Sequence, residues 1–152
     1  MASVVSAAVA KFNALTAANF PSSARPPIYL DEAPLKDSAG ADERPGYAVL
    51  TDEGLTTEQV FDYPVVETGS FLITVYYRSL ADCDAAAEAV KYNGGTLANA
   101  GGFDNGTLTL PSGYTLLALR RTSERRRYAG LDYQGARVHA VEIRYSHEVQ
   151  RI

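Results

Sequence analysis

The stretch that most constrains this chain is Phe71 to Val90, FLITVYYRSLADCDAAAEAV. Phe71, Ile73, Val75 and Tyr77 alternate with Leu72, Thr74, Tyr76 and Arg78. A period of two, carried by β-branched and aromatic residues, predicts a central strand. The period then changes. Leu80, Cys83, Ala87 and Val90 recur every three or four residues, which puts them on one side of a helix. Asp82 and Asp84 fall in the first turn, where the helix dipole favours negative charge, and Asn93-Gly94-Gly95 is a stop signal. A strand that feeds a helix with almost nothing between them supplies two layers of one core.

The rest of the chain supplies elements for those layers. Val4, Val5, Ala8, Phe12 and Leu15 predict an amphipathic N-terminal helix. Pro27-Ile28-Tyr29-Leu30 reads as a short strand and Tyr47 to Leu50 as a second, ended by a TDEG turn. Thr57 to Phe61 and Val65 to Tyr77 would pair as a long hairpin around Asp62-Tyr63-Pro64. Lys36 to Pro45 is polar, with Gly and Pro, and reads as an exposed loop. Asn93 to Gly106 is glycine-rich but lacks GxGxxG spacing or a GKS/GKT ending, so it reads as a connector and not a phosphate loop. Leu108 to Leu110 and Tyr114 to Arg121 are further short strands, with ERRRYAGLDYQG as the turn that follows. In Ala136 to Glu148, His139, Val141, Ile143 and Tyr145 share one face, as a sheet covered on one side requires. The expectation is one α+β domain over residues 1–152: a mainly antiparallel sheet of about five to seven strands on two helices, with a protruding hairpin or loops.

The residues do not mark a catalytic site. His139 and His147 are eight positions apart on a strand, about 27 Å, too far to share a metal. There is no GxSxG elbow, and the acidic pairs Asp31-Glu32, Asp42-Glu43 and Asp52-Glu53 fall in loops or turns. The single cysteine, Cys83, lies on the inner side of the second helix and reads as a buried hydrophobe. No catalytic residue, cofactor or metal is expected. No apolar run is long enough to cross a bilayer, so no membrane partner is expected either.

Charge is the informative quantity. The net charge of −4 is divided unevenly: Met1 to Leu119 carries 6 basic and 14 acidic residues, and Arg120 to Ile152 carries 8 basic and 4 acidic. Arg120, Arg121, Arg125, Arg126 and Arg127 put five arginines in eight positions, flanked by Tyr128 and Tyr133. Arginine forks suit carboxylates and phosphates, and arginine and tyrosine are favoured at interfaces. Three readings stand side by side: a solvated hairpin tip, contact with carboxylates of a partner subunit, or contact with nucleic acid. These seven residues are the candidate interface.

The layout resembles the tail terminator (tail completion) proteins of long-tailed bacteriophages. The resemblance rests on the N-terminal helix, the short strand after a proline, YAVLTDEG, FLITVYYRSLADCDAAAEAV, and a closing hairpin. That hairpin has a D-x-x-G turn, Asp132-Tyr133-Gln134-Gly135, followed by RVHAVEIRYSHEVQR. It spans Val4 to Arg151 and is one of element order more than of diagnostic residues. The resemblance implies a structural virion protein and no enzyme. It implies a homo-oligomer, a hexameric ring in the neck of the virion, assembled in the host cytoplasm. The ring would cap the tail tube protein and join it to the head connector or stopper protein. DNA would pass through without sequence-specific binding, along a lumen that tends to be acidic in this family. The alternatives are another head-tail joining protein, a stopper or adaptor, a nucleic-acid-binding module using the arginines, or, last, a small hydrolase.

Overall fold

The computed structural model describes residues 2–31, 46–59, 65–95, 101–131 and 135–151. Five strands form one sheet: β1 (Ile28–Leu30), β2 (Gly46–Gln59), β3 (Val65–Tyr77), β4 (Tyr114–Leu131) and β5 (Arg137–Arg151). Their spatial order is β1-β2-β3-β5-β4. Among the described residues only β1 runs parallel to its neighbour, over Ile28 to Leu30 against Ala48 to Leu50; the other pairs are antiparallel. The helices α1 (Ala2–Asn13) and α2 (Leu80–Tyr92) complete the α+β fold. The loop expected at Lys36 to Pro45 lies outside the described residues.

The predicted strand-helix unit is the middle of this fold. β3 is hydrogen-bonded on both sides, to β2 and, from Val65 opposite Arg151 to Tyr77 opposite His139, to β5. Phe71, Ile73, Val75 and Tyr77 point into the core together with Val141, Ile143 and Tyr145 of β5. The same cluster takes Val4, Ala8, Phe12 and Leu15 from α1 and its end, and Cys83, Ala86, Ala87 and Val90 from α2. One face of the sheet is therefore covered by both helices. Burying its aliphatic and aromatic side chains is the main stabilising term, about 1.5–3 kcal/mol for each large side chain.

Local chemistry sets where α2 starts and stops. The Ser79 hydroxyl accepts from the Asp82 amide at 3.4 Å, satisfying one of the free N–H groups of the first turn. At the other end Asn93 adopts the left-handed conformation (φ 49°, ψ 46°). An asparagine serves there because its Oδ1 also accepts from the Thr16 amide at 2.8 Å and from Asn19 Nδ2 at 3.1 Å. The same residue thus ends α2 and ties it to the segment after α1.

Several expected boundaries shift. The TDEG segment is a β-bulge and not a turn: β2 runs through it, with a register shift between Asp52 and Leu55 and Gly54 at φ +89°. Of the strand expected at Thr57 to Phe61, Thr57 to Gln59 are the end of this longer β2; its last two residues and the turn expected at Asp62-Tyr63-Pro64 lie outside the described residues. The long hairpin arm does not stand alone, since β5 covers the other flank of β3 over its whole length. Leu108 to Leu110 forms no strand, yet Leu108 and Leu110 pack on the core. The glycine-rich connector carries a core residue that its composition hides. Phe103, in a short 3-10 turn, is fully buried edge-on to Phe71 at 6.1 Å. Its turn fits because Gly102 lies against the α2 backbone, where a Cβ would come within 2.5 Å of the Val90 and Lys91 carbonyl oxygens.

Candidate assembly surface

The arginine cluster is not a turn. β4 continues through it to Leu131, so Arg120 to Arg127 lie in an edge strand that, among the described residues, pairs only with β5. Strand alternation then sends them to opposite faces. Arg121 and Arg126, opposite Tyr145 and Val141, face the helices. Arg120, Arg125 and Arg127, opposite Ser146, Glu142 and Ala140, face the uncovered side.

On the helix side these residues bind the chain's own acids. Arg126 Nε donates to Asp84 Oδ1 of α2 at 2.6 Å, and this bond raises the pKa of the guanidinium further. Arg121 reaches Asp104 at 3.3 Å and Glu124 at 2.8 Å. Burial works against its charge, but Asp104 and other neighbours outweigh that and its pKa is raised. Asp104 also accepts from Tyr145 Oη at 2.7 Å; burial is the main reason the phenol is pushed well above its ordinary value. Lys91, whose side chain is only 6% exposed, donates to Glu124 at 3.1 Å and to Glu88 at 3.2 Å. Its burial favours the neutral amine, yet the two carboxylates prevail and its pKa is raised.

On the uncovered side Glu142 holds two arginines. Arg127 Nε donates to Glu142 Oε1, and Arg125 Nη2 reaches the same oxygen at 3.3 Å. Burial alone would raise the Glu142 carboxyl; the two guanidiniums reverse this and hold it below the ordinary carboxylate range. Arg127 also donates to Tyr76 Oη at 3.2 Å, and Tyr76 stacks on Tyr47 at 4.6 Å. Arg144 forms a fork on Glu53 at 2.7 and 2.9 Å, which holds Glu53 low. A recess of about 350 Å³ lies here, lined by Ser123, Glu124, Arg125, Glu142 and Arg144. Its polar groups bind one another, as when Arg144 Nη1 donates to Ser123 Oγ at 3.2 Å.

Of the seven candidate interface residues, four are thus engaged within the chain: Arg121, Arg125, Arg126 and Arg127. Arg120 is exposed, with no carboxylate at ion-pair distance among the described residues. Tyr128 is 56% exposed and meets His139 edge-on at 6.0 Å. Tyr133 lies outside the described residues. The sequence marks Asp84 as a charge near the start of the second helix, but it pairs none of Asp84, Asp104 and Glu142 with the arginines. Only for Glu142 was there a signal: extending the last hairpin brings Arg125 opposite it.

The other candidate residues are dispersed. His139 closes one end of the β3–β5 pairing opposite Tyr77, and His147 lies eight residues further along β5 opposite Gly69. His147 is buried against Phe71, and burial lowers its pKa. Cys83 is buried and donates to the Val75 and His139 carbonyls, with its thiol pushed up to about 11 chiefly by burial. Among the described residues no group of three or more His, Cys, Asp or Glu could hold a metal ion. No helix of the described residues is long and apolar enough to cross a membrane. No protein-family model matches this chain, and no curated protein is found to be similar to it.

Proposed function

We propose that this chain is a structural subunit of a bacteriophage neck: a tail terminator that forms a ring, caps the tail tube and meets the head connector. The observation that carries the reading is the order of elements, α1-β1-β2-β3-α2-β4-β5, with β3 feeding α2 and a long closing hairpin. It is the order that the resemblance to tail terminators implies. The form of the sheet supports it. A ring is built from head-to-tail contacts between two different surfaces of one subunit. This sheet ends in two unlike strands, a three-residue β1 on one side and an eighteen-residue β4 on the other. The proposed site of action is the virion, and the proposed partners are further copies, the tail tube protein and the connector.

The nucleic-acid reading of the arginines is weaker than the sequence suggests. Phosphates would compete for these guanidiniums with carboxylates of the same chain, which already hold four of the five. A stopper or adaptor remains the neighbouring alternative. Light scattering after size exclusion, with negative-stain imaging, tests the proposal. The expected result is a closed ring, alone or on addition of tail tube. A strict monomer in both conditions would overturn it.

A further inference from the structure

We infer that the β4 edge of one copy docks on the β1 edge of the next, through Leu117 and Arg120 on one side and Leu30 and Asp31 on the other. This rests on the ring reading above and names the contact that would build it. The four residues form two short surfaces of matching chemistry. On β4, Leu117 sits at the bulge between Leu116 and Ala118 and is 50% exposed, and Arg120 follows three residues later without a carboxylate partner among the described residues. On the opposite edge Leu30 is 55% exposed, and the exposed Asp31 next to it has no partner for its carboxylate among the described residues. One edge strand thus carries an exposed leucine and an exposed cation, and the other an exposed leucine beside an exposed anion, neither charge paired among the described residues.

Asp31 is also held in place. Its backbone has φ 60°, in the left-handed region, and its amide donates to the Leu50 carbonyl at 2.9 Å. Ordering the carboxylate's backbone in advance lowers the entropy cost of pairing it. Because β1 and β4 are the outer strands of one sheet, the contact is head-to-tail, and it propagates into a ring or a filament. Side chains carry it, not a continued ladder. β4 is interrupted by register shifts at Leu116/Ala118, Arg121/Ser123 and Tyr128/Gly130, and β2 has its own at Asp52/Leu55. Bulges and arginines on an edge oppose strand addition.

A charge swap tests the pairing. Wild type, Arg120→Glu, Asp31→Arg, the Arg120→Glu/Asp31→Arg double variant and Leu117→Glu are compared by mass photometry and light scattering. Circular dichroism and thermal melting confirm that each is folded. Each single variant is expected to weaken self-association by about tenfold or more, the effect of roughly 1.4 kcal/mol per contact, and the double variant to regain it. Single variants that assemble like wild type would place the contact elsewhere and leave the ring reading standing. Loss of assembly without rescue in the double variant would refute the Arg120–Asp31 pair. A monomeric wild type would remove the ring reading and this contact together.

Discussion

Lys91 offers the sharpest test of the idea that the charges on and around β4 hold the domain together. Its ammonium lies under α2, within 3.1 Å of Glu124 on β4 and 3.2 Å of Glu88. Replacing it with methionine keeps the stem packed and removes the charge. The sign follows from the raised pKa: the carboxylates favour the charged form by more than burial opposes it. Because the folded pKa lies above the unfolded one, the contribution is complete at neutral pH and is lost only as pH rises through the folded value. The magnitude lies between two limits. An exposed pair contributes about 0.2–1 kcal/mol, and breaking a buried pair costs about 3–5 kcal/mol. Lys91 is nearly sealed, but Glu88 is 61% exposed and adds little after solvent screening. Glu124 keeps Arg121 at 2.8 Å, so it is not orphaned. The expected cost of Lys91→Met is therefore about 1–2 kcal/mol, or roughly 2–8 °C in melting temperature for a chain of this size. Lys91→Ala should cost about 1–3 kcal/mol more, from the lost burial of the methylene stem. Urea denaturation of Lys91→Met, Glu124→Gln and the double variant reads the coupling directly, expected near 1 kcal/mol. A Lys91→Met protein as stable as wild type, with coupling below about 0.3 kcal/mol, would refute the reasoning.

Three further outcomes follow from single sites. Burial lowers the pKa of His147, so its contribution to stability is present above its unfolded pKa of about 6.5 and is lost as pH falls through the folded value. Urea midpoints should drop on going from pH 7.5 to 5.5, and His147→Phe, which keeps the stack on Phe71, should flatten that slope; an equal slope in both proteins would exclude His147 as its source. Gly102→Ala should destabilise by about 1–3 kcal/mol, because the new Cβ meets fixed α2 backbone at 2.5 Å; an unchanged melting temperature would contradict that close approach. The Cys83 thiol, buried and pushed up to about 11, should react with a thiol reagent at pH 8 only after unfolding, and labelling of the native protein at the unfolded rate would contradict its placement.

The core was legible in the sequence where one element has one buried face. Phe71 to Tyr77, Val4 to Leu15, Cys83 to Val90 and Val141 to Tyr145 were all readable because burial imposes a period on the side chains. Phe103 escaped because a lone aromatic in a glycine-rich segment has no period, and its burial depends on the approach that Gly102 permits. The TDEG bulge escaped because Asp-Glu-Gly satisfies a turn and a bulge equally well.

The arginine cluster marks the division. Its composition, its strand-like flanks and its contrast with the acidic first part of the chain are properties of the sequence alone. That it lies in a strand was decided by pairing with β5, since an edge strand with one neighbour can be polar on both faces and so shows no alternation. Which arginines are occupied was decided by the tertiary fold, because Asp84, Asp104 and Glu142 are brought to β4 by α2, the Phe103 turn and β5. Charge content is local, but the pairing of charges depends on distances that only packing sets, and here packing leaves Arg120 as the arginine of the five without an internal carboxylate among the described residues.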